Sequence, residues 1–203
     1  MAKISTYATD GSPSLSDKVI GTEVSSDNAT KNYLLSDLKT LMFSTFGVSQ
    51  IIDASSTSDQ EPSGLDSALQ VSFGAAQNTA SDPVMLAADG TVTFNSPGLY
   101  LMNAYGTVER QGSSGGVSVL LFRSLINGIQ AGSVKGFELD STGVMLPYEI
   151  TIPINIETAG TTLTFEIMRD SSGVDQGGLY THTNLGGWDN VPSAEINIWK
   201  IGN

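Results

Sequence analysis

His182 is the only histidine in a chain of 203 residues that contains no cysteine. Nucleophilic catalysis by a Ser–His–Asp relay needs a base held by a third group. His182 sits in "GLYTHTNLGGWDN" with no such partner marked by spacing. A thiolate, a Gly-rich phosphate loop and a metalloprotease pattern are all missing from the sequence. The expectation is a protein without catalytic residues or cofactor. "DSSGVDQGG" and "GGWDN" place Asp170, Asp175 and Asp189 in Gly-rich loops. Carboxylates with backbone carbonyls suit calcium, but this spacing matches no calcium loop. These acids read as solvated turn residues, and no metal site is expected. Recognition is the remaining chemistry. Segment 170–192 exceeds the usual connection length, and long loops often carry function. Its Tyr180, His182 and Trp188 could form a contact surface, for instance for a host surface glycan. The plainer role for Trp188 is to cover the end of the fold or a subunit contact.

Composition narrows the classes. The formal net charge is −12, with 22 glycines and 39% hydrophobic residues. Residues 1–50 hold four lysines and five acids, so 51–203 hold five basic residues against sixteen acids. Such a surface repels phosphate backbones and excludes nucleic acid as a partner. No stretch approaches the ~18 apolar residues of a membrane span, so no membrane partner is expected. The N-terminal "MAKISTYATDGSPSLSDK" has no apolar core of signal-peptide length. With no cystine framework either, a cytosolic folding compartment and a soluble product are expected.

The elements that must position these residues fall into three regions: a head at 1–50, a polar linker or arm at 51–66 and a main domain at 67–203. In the head, "DKVIGTEV" and "TKNYLL" are β-prone runs around the turn "SSDNA", which predicts a hairpin. Asn28 in that turn belongs to an Asn-Ala-Thr triplet and acts as a turn residue. Ser36 suits an N-cap, with Asp37 in the first turn. Leu38, Leu41, Met42 and Phe46 then recur at helical spacing before Gly47. A hairpin plus one short helix cannot bury a stable core alone. Its apolar stripe needs another surface, and Lys31, Tyr33, Leu34, Leu38, Leu41 and Met42 are the expected docking residues.

The main domain is a string of about eight strand signals with turns between them. In "LYLMNAYGTV", Tyr100, Met102, Ala104 and Val108 share one face, while Leu99, Leu101 and Tyr105 share the other. In "VSVLLFRSLI", Val117, Val119, Leu121 and Leu125 oppose Leu120, Phe122 and Ile126. Asn127-Gly128 follows as a two-residue hairpin turn. "PYEITIPINIE" points Tyr148, Ile150, Ile152, Ile154 and Ile156 inward, and Pro153 marks an edge or a bulge. "TTLTFEIMR" buries Leu163, Phe165 and Ile167, and "AEINIWKI" ends the series with Trp199 opposite Ile196 and Ile198. This pattern predicts a β-sandwich or barrel. Strands apolar on both faces need a second cover, most simply another copy of the subunit. Leu101, Tyr105, Phe122 and Trp199 are the residues expected at that contact.

The order of these signals resembles the trimeric jelly roll of tumour necrosis factor and of complement-type globular heads. The matching positions are Phe94, Pro97, Gly98 and Tyr100, then Asn127-Gly128, then Ala159-Gly160, over roughly residues 70–203. The chain departs where an Asp commonly follows the Ala-Gly turn, since it has Thr161. The resemblance implies a mainly β, jelly-roll, homotrimeric fold and transfers no function.

The head resembles the N-terminal segment of many bacteriophage virion appendages. Gly21-Thr22-Glu23, Thr30-Lys31 and Ser36-Asp37-Leu38 carry that likeness over about thirty residues. It implies a structural protein made in the host cytoplasm and located in the virion. Residues 1–50 would attach to the major capsid protein or another virion protein, as a capsid decoration, cement or short head fibre. The alternative is a tail fibre or spike tip that binds a host-cell receptor or glycan.

Overall fold

The computed structural model describes residues 14, 16–23, 29–38, 49–112, 115–140, 142–183, 186–187 and 190–202. The chain divides into two units, Met1–Gly47 and Val48–Asn203.

In the first unit, β1 (Lys18–Glu23) pairs antiparallel with β2 (Ala29–Leu34), as the two β-prone runs predict. Residues 35–38 are helical, so Ser36 lies inside the helical turn rather than capping it. The start of the turn is anchored by Leu35 N, which donates to Asp17 O at 2.9 Å. Leu41, Met42 and the rest of the expected helix lie outside the described residues.

Among the described residues the second unit contains eleven strands. They are β3 (Ser49–Ser56), β4 (Leu69–Gln70), β5 (Val84–Leu86), β6 (Val92–Phe94), β7 (Gly98–Glu109) and β8 (Ser118–Ile126). Then come β9 (Ile129–Leu139), β10 (Leu146–Ile156), β11 (Thr161–Arg169), β12 (Gly178–Leu179) and β13 (Ala194–Gly202). One sheet runs β10-β7-β13-β3, with β12 beside the end of β7. The other runs β5-β6-β11-β8-β9, with β4 beside β11. Every named pair is antiparallel, and the chain passes back and forth between the sheets, giving a jelly-roll sandwich.

Alternation decides the inner layer. Tyr100, Met102, Ala104 and Val108 of β7 are fully buried, as are Ile196 and Ile198 of β13 and Phe165 and Ile167 of β11. Burying such side chains contributes roughly 1.5–3 kcal/mol each. Local chemistry sets the turns. Asn127 (φ 50°) and Gly128 (φ 76°) are both left-handed, the geometry a two-residue hairpin requires. Phe94 and Tyr100 stack at 4.9 Å, and the Tyr100 hydroxyl donates to Ser96 O at 2.9 Å. That contact closes the loop carrying Pro97-Gly98. β10 is an edge strand, where Pro153 leaves no central ladder without a donor.

Two expectations need correction. Residues 51–56 are not a linker. They belong to β3, which pairs with β13 from Ser56↔Ala194 onward, and Ile52 and Ala54 are core residues. Their neighbours Asp53 and Ser55 face solvent, so an alternating strand imitates a polar linker. Residues 57–66 are also tied down: Gln60 N donates to Leu179 O, and the Gln60 amide donates to Ser72 O and Ser193 Oγ. The second correction concerns Phe122, which is 2% exposed. Its ring packs at 5.2 Å from Tyr148 and 5.6 Å from Phe165, between the sheets rather than at a subunit contact.

Candidate functional site

The outer face of the five-stranded sheet is built from three rows of side chains. Strand register places Pro153, Leu101, Trp199 and Gln50 side by side. The next row is Thr151, Asn103, Asn197 and Asp53, and the third is Glu149, Tyr105, Glu195 and Ser55. Leu101, Tyr105 and Trp199 are half-buried within the single chain. Three of the four expected subunit-contact residues thus share one face, and Phe122 does not.

Chemistry divides that face. The first row is apolar around Leu101 and Trp199. The other two are hydrogen-bonded and acidic. Gln50 Nε2 donates to Asn197 Oδ1 at 2.8 Å, and Asn103 Nδ2 donates to Glu149 Oε1 at 3.2 Å. Asn103 Oδ1 is buried without a partner. Tyr105 is pushed up to about 12, first by desolvation and then by its hydrogen bond to Glu195 and that carboxylate's charge. A shallow cavity of about 490 Å³ lies among Asn103, Tyr105, Glu149 and Asn197.

The expected recognition loop is only partly a surface. Tyr180 is 2% exposed, so it cannot act as a contact residue. Its backbone N donates to Thr107 O at 3.2 Å, and its hydroxyl bonds Glu61. Burial followed by the Glu61 charge raises its pKa. Residues 177–180 are buried in succession, with Tyr180 just past β12 and no alternation to mark its ring as inward. His182 is half-buried, with Nε2 3.0 Å from Glu109 Oε2. Neither atom has an aligned hydrogen-bond partner among the described residues. His182 and Val191 exchange backbone hydrogen bonds at 3.1 and 2.9 Å, closing the base of the loop. Trp188 and Asp189 lie outside the described residues.

Asp170 and Asp175 serve in-chain roles. Asp170 accepts from Ser172 N at 2.8 Å and from the Ser172 hydroxyl, which together hold it below the usual carboxylate range. Asp175 Oδ1 accepts from Arg169 Nη1 at 3.1 Å. Among the described residues no three His, Asp or Glu side chains gather as a metal site.

Sequence reading does not find the two buried arginines. Arg169 Nε donates to Gly177 O at 2.7 Å, and its other nitrogens hold Asp175 and Glu61. Arg110 bonds Gln176 Oε1 at 2.7 Å and the carbonyls of Gly112, Gly116 and Leu139. Arginine is ordinarily exposed, and its partners here come from distant segments, so no local signal marks it.

In the head, register sets Lys31 opposite Gly21 and Tyr33 opposite Val19, on one side of the hairpin. Leu34 lies opposite Lys18, on the side shared with Ile20, which is 77% exposed. The expected docking residues therefore do not form one face. Leu38 is half-buried, in the helical turn.

No family model matches the chain, and neither does any curated protein. Among solved structures, the tumour necrosis factor Eiger from S. frugiperda is similar, with 13% identity and a TM-score of 0.39. The match covers 78% of this chain and 94% of that one. The jelly-roll assignment rests on this chain's own strand order.

Proposed function

We propose that the protein is a non-enzymatic structural component of a bacteriophage particle. It assembles as a homotrimer, attaches through residues 1–50 and projects its jelly roll outward as a capsid decoration or short head fibre. The observation that carries the trimer is the apolar row Leu101–Trp199, half-buried on the outer sheet face. An apolar strip of this kind favours a partner surface, and head-to-tail contacts between three copies close into a ring without further components. Attachment rests on the head. A two-stranded hairpin is marginal alone, and Ile20 and Val19 remain exposed on it. The phage assignment rests on the motif likeness of residues 21–38. Three weak anchors on one trimer bind with a high effective concentration. The acidic body keeps particles apart.

Removing residues 1–47, which leaves β3 whole, tests the assignment. The remaining chain should stay soluble and trimeric and should no longer join particles. Decoration by the truncated trimer would show that the anchor lies elsewhere. Sedimentation at the mass of one 21.3 kDa chain would remove the trimer.

A further inference from the structure

One end of the sandwich carries a cavity of about 340 Å³ that neither the trimer nor the anchor uses. Its walls include Glu61, Gln111, Arg169, Asp175, Gln176 and Tyr180. The Arg169 side chain is only 7% exposed and forms a fixed floor. It holds Glu61 at 3.0 Å, Asp175 at 3.1 Å and the Gly177 carbonyl at 2.7 Å. The Tyr180 hydroxyl locks Glu61 from the other side. Gln176 is held from behind by Arg110.

Two groups are left to act. Asp175 is 48% exposed, and Arg169 engages its Oδ1, leaving Oδ2 without a hydrogen-bond partner among the described residues. Gln111 is exposed, and its amide makes no hydrogen bond among the described residues. One guanidinium, Arg169, and two carboxylates, Glu61 and Asp175, line this cavity, so its net charge disfavours an anion. A fixed carboxylate acceptor beside an amide that both donates and accepts suits vicinal hydroxyl groups.

We propose that this cavity binds a neutral carbohydrate. One ring hydroxyl donates to Asp175 Oδ2, and a neighbouring hydroxyl exchanges hydrogen bonds with the Gln111 amide. The Arg169–Glu61–Tyr180 floor holds the acceptor in place before binding, so little ordering entropy remains to be lost. The volume lies within the range of small-molecule pockets, roughly 300–1,000 Å³. This site stands independently of where the chain resides in a particle.

The test uses the full chain and two-dimensional amide NMR. Glucose, galactose, mannose, N-acetylglucosamine and N-acetylneuraminate are each titrated to millimolar concentration. At least one neutral sugar should shift the amides of Gln111, Gly112 and residues 175–177. Gln111→Ala and Asp175→Asn should each weaken that binding about tenfold, the worth of one hydrogen bond to a polar or charged group. Gln111 lies outside the Arg169 floor, so Gln111→Ala should unfold at the unmodified temperature and isolates binding from folding. The proposal is overturned if no neutral sugar moves these amides, if the shifts map to the outer sheet face, or if N-acetylneuraminate binds in preference.

Discussion

Tyr148 on β10 stands directly opposite Gly106 on β7, and its ring fills the space a side chain at 106 would need. A Cβ there would lie 2.8 Å from Tyr148 Cε1 and 2.9 Å from the phenol oxygen, and would also strike Ser193 O. Gly106→Ala should therefore cost about 1–3 kcal/mol, the range for overpacking a closed site. The Tyr148 hydroxyl is buried without a partner, and burial raises its pKa. Tyr148→Phe removes an unsatisfied group and should leave stability unchanged or raise it by up to about 1 kcal/mol. Urea unfolding measures both. A clear loss in Tyr148→Phe would reveal a partner for the hydroxyl.

Phe122 and Trp199 should respond in opposite ways. Phe122 packs between the sheets, so Phe122→Ala should destabilise each subunit by about 3–5 kcal/mol. Trp199→Ala should leave the subunit folded and, for the trimer proposed above, shift sedimentation from three chains to one. If Trp199→Ala stays fully trimeric, the apolar row is not the subunit contact.

Tyrosine ionisation sets an alkaline limit. Tyr105 is pushed up to about 12 in the folded chain, against about 10 in an unfolded one. Between those values the unfolded chain has released a proton that the folded chain still holds, so stability falls as pH rises. The contribution is intact below pH about 10 and is lost through pH about 12. Tyr148 and Tyr180 are raised by burial and act with the same sign. Stability measured across this window should decline, and Tyr105→Phe should make the decline shallower.

Glu109 and His182 form a contact that only a double-mutant cycle can value. Glu109 is 7% exposed, and His182→Ala leaves its Oε2 without the side chain that lies 3.0 Å away. The cost should be about 1–3 kcal/mol. Glu109→Gln combined with His182→Ala should show a coupling of about 0.5 kcal/mol or more. Additive losses would mean that the two side chains merely lie close.

Several features were legible because they are local. The alternation in "PYEITIPINIE" places Tyr148, Ile150, Ile154 and Ile156 inside, where the structure buries them. Pro153 marks an edge strand, and β10 is one. Asn127-Gly128 has the residue types that left-handed turn geometry selects. β8 was not legible in the same way. Leu120, Phe122 and Leu121 put apolar side chains on both faces, so periodicity alone cannot choose the inner one. Residues 49–56 were obscured for the opposite reason, since their outward polar residues mask Ile52 and Ala54.

The amino-acid sequence alone determined the longer strands β7, β8, β10, β11 and β13 and the Asn127-Gly128 turn, because each depends on neighbours within a few residues. Only the tertiary structure decided that β3 completes a sheet against β13, that Phe122 faces inward and that Tyr180 is buried. It also brought His182 to Glu109, and Arg169 to Glu61 and Asp175. Those outcomes depend on which distant segments meet, and burial between two sheets selects the pairing after each strand's own pattern has been satisfied.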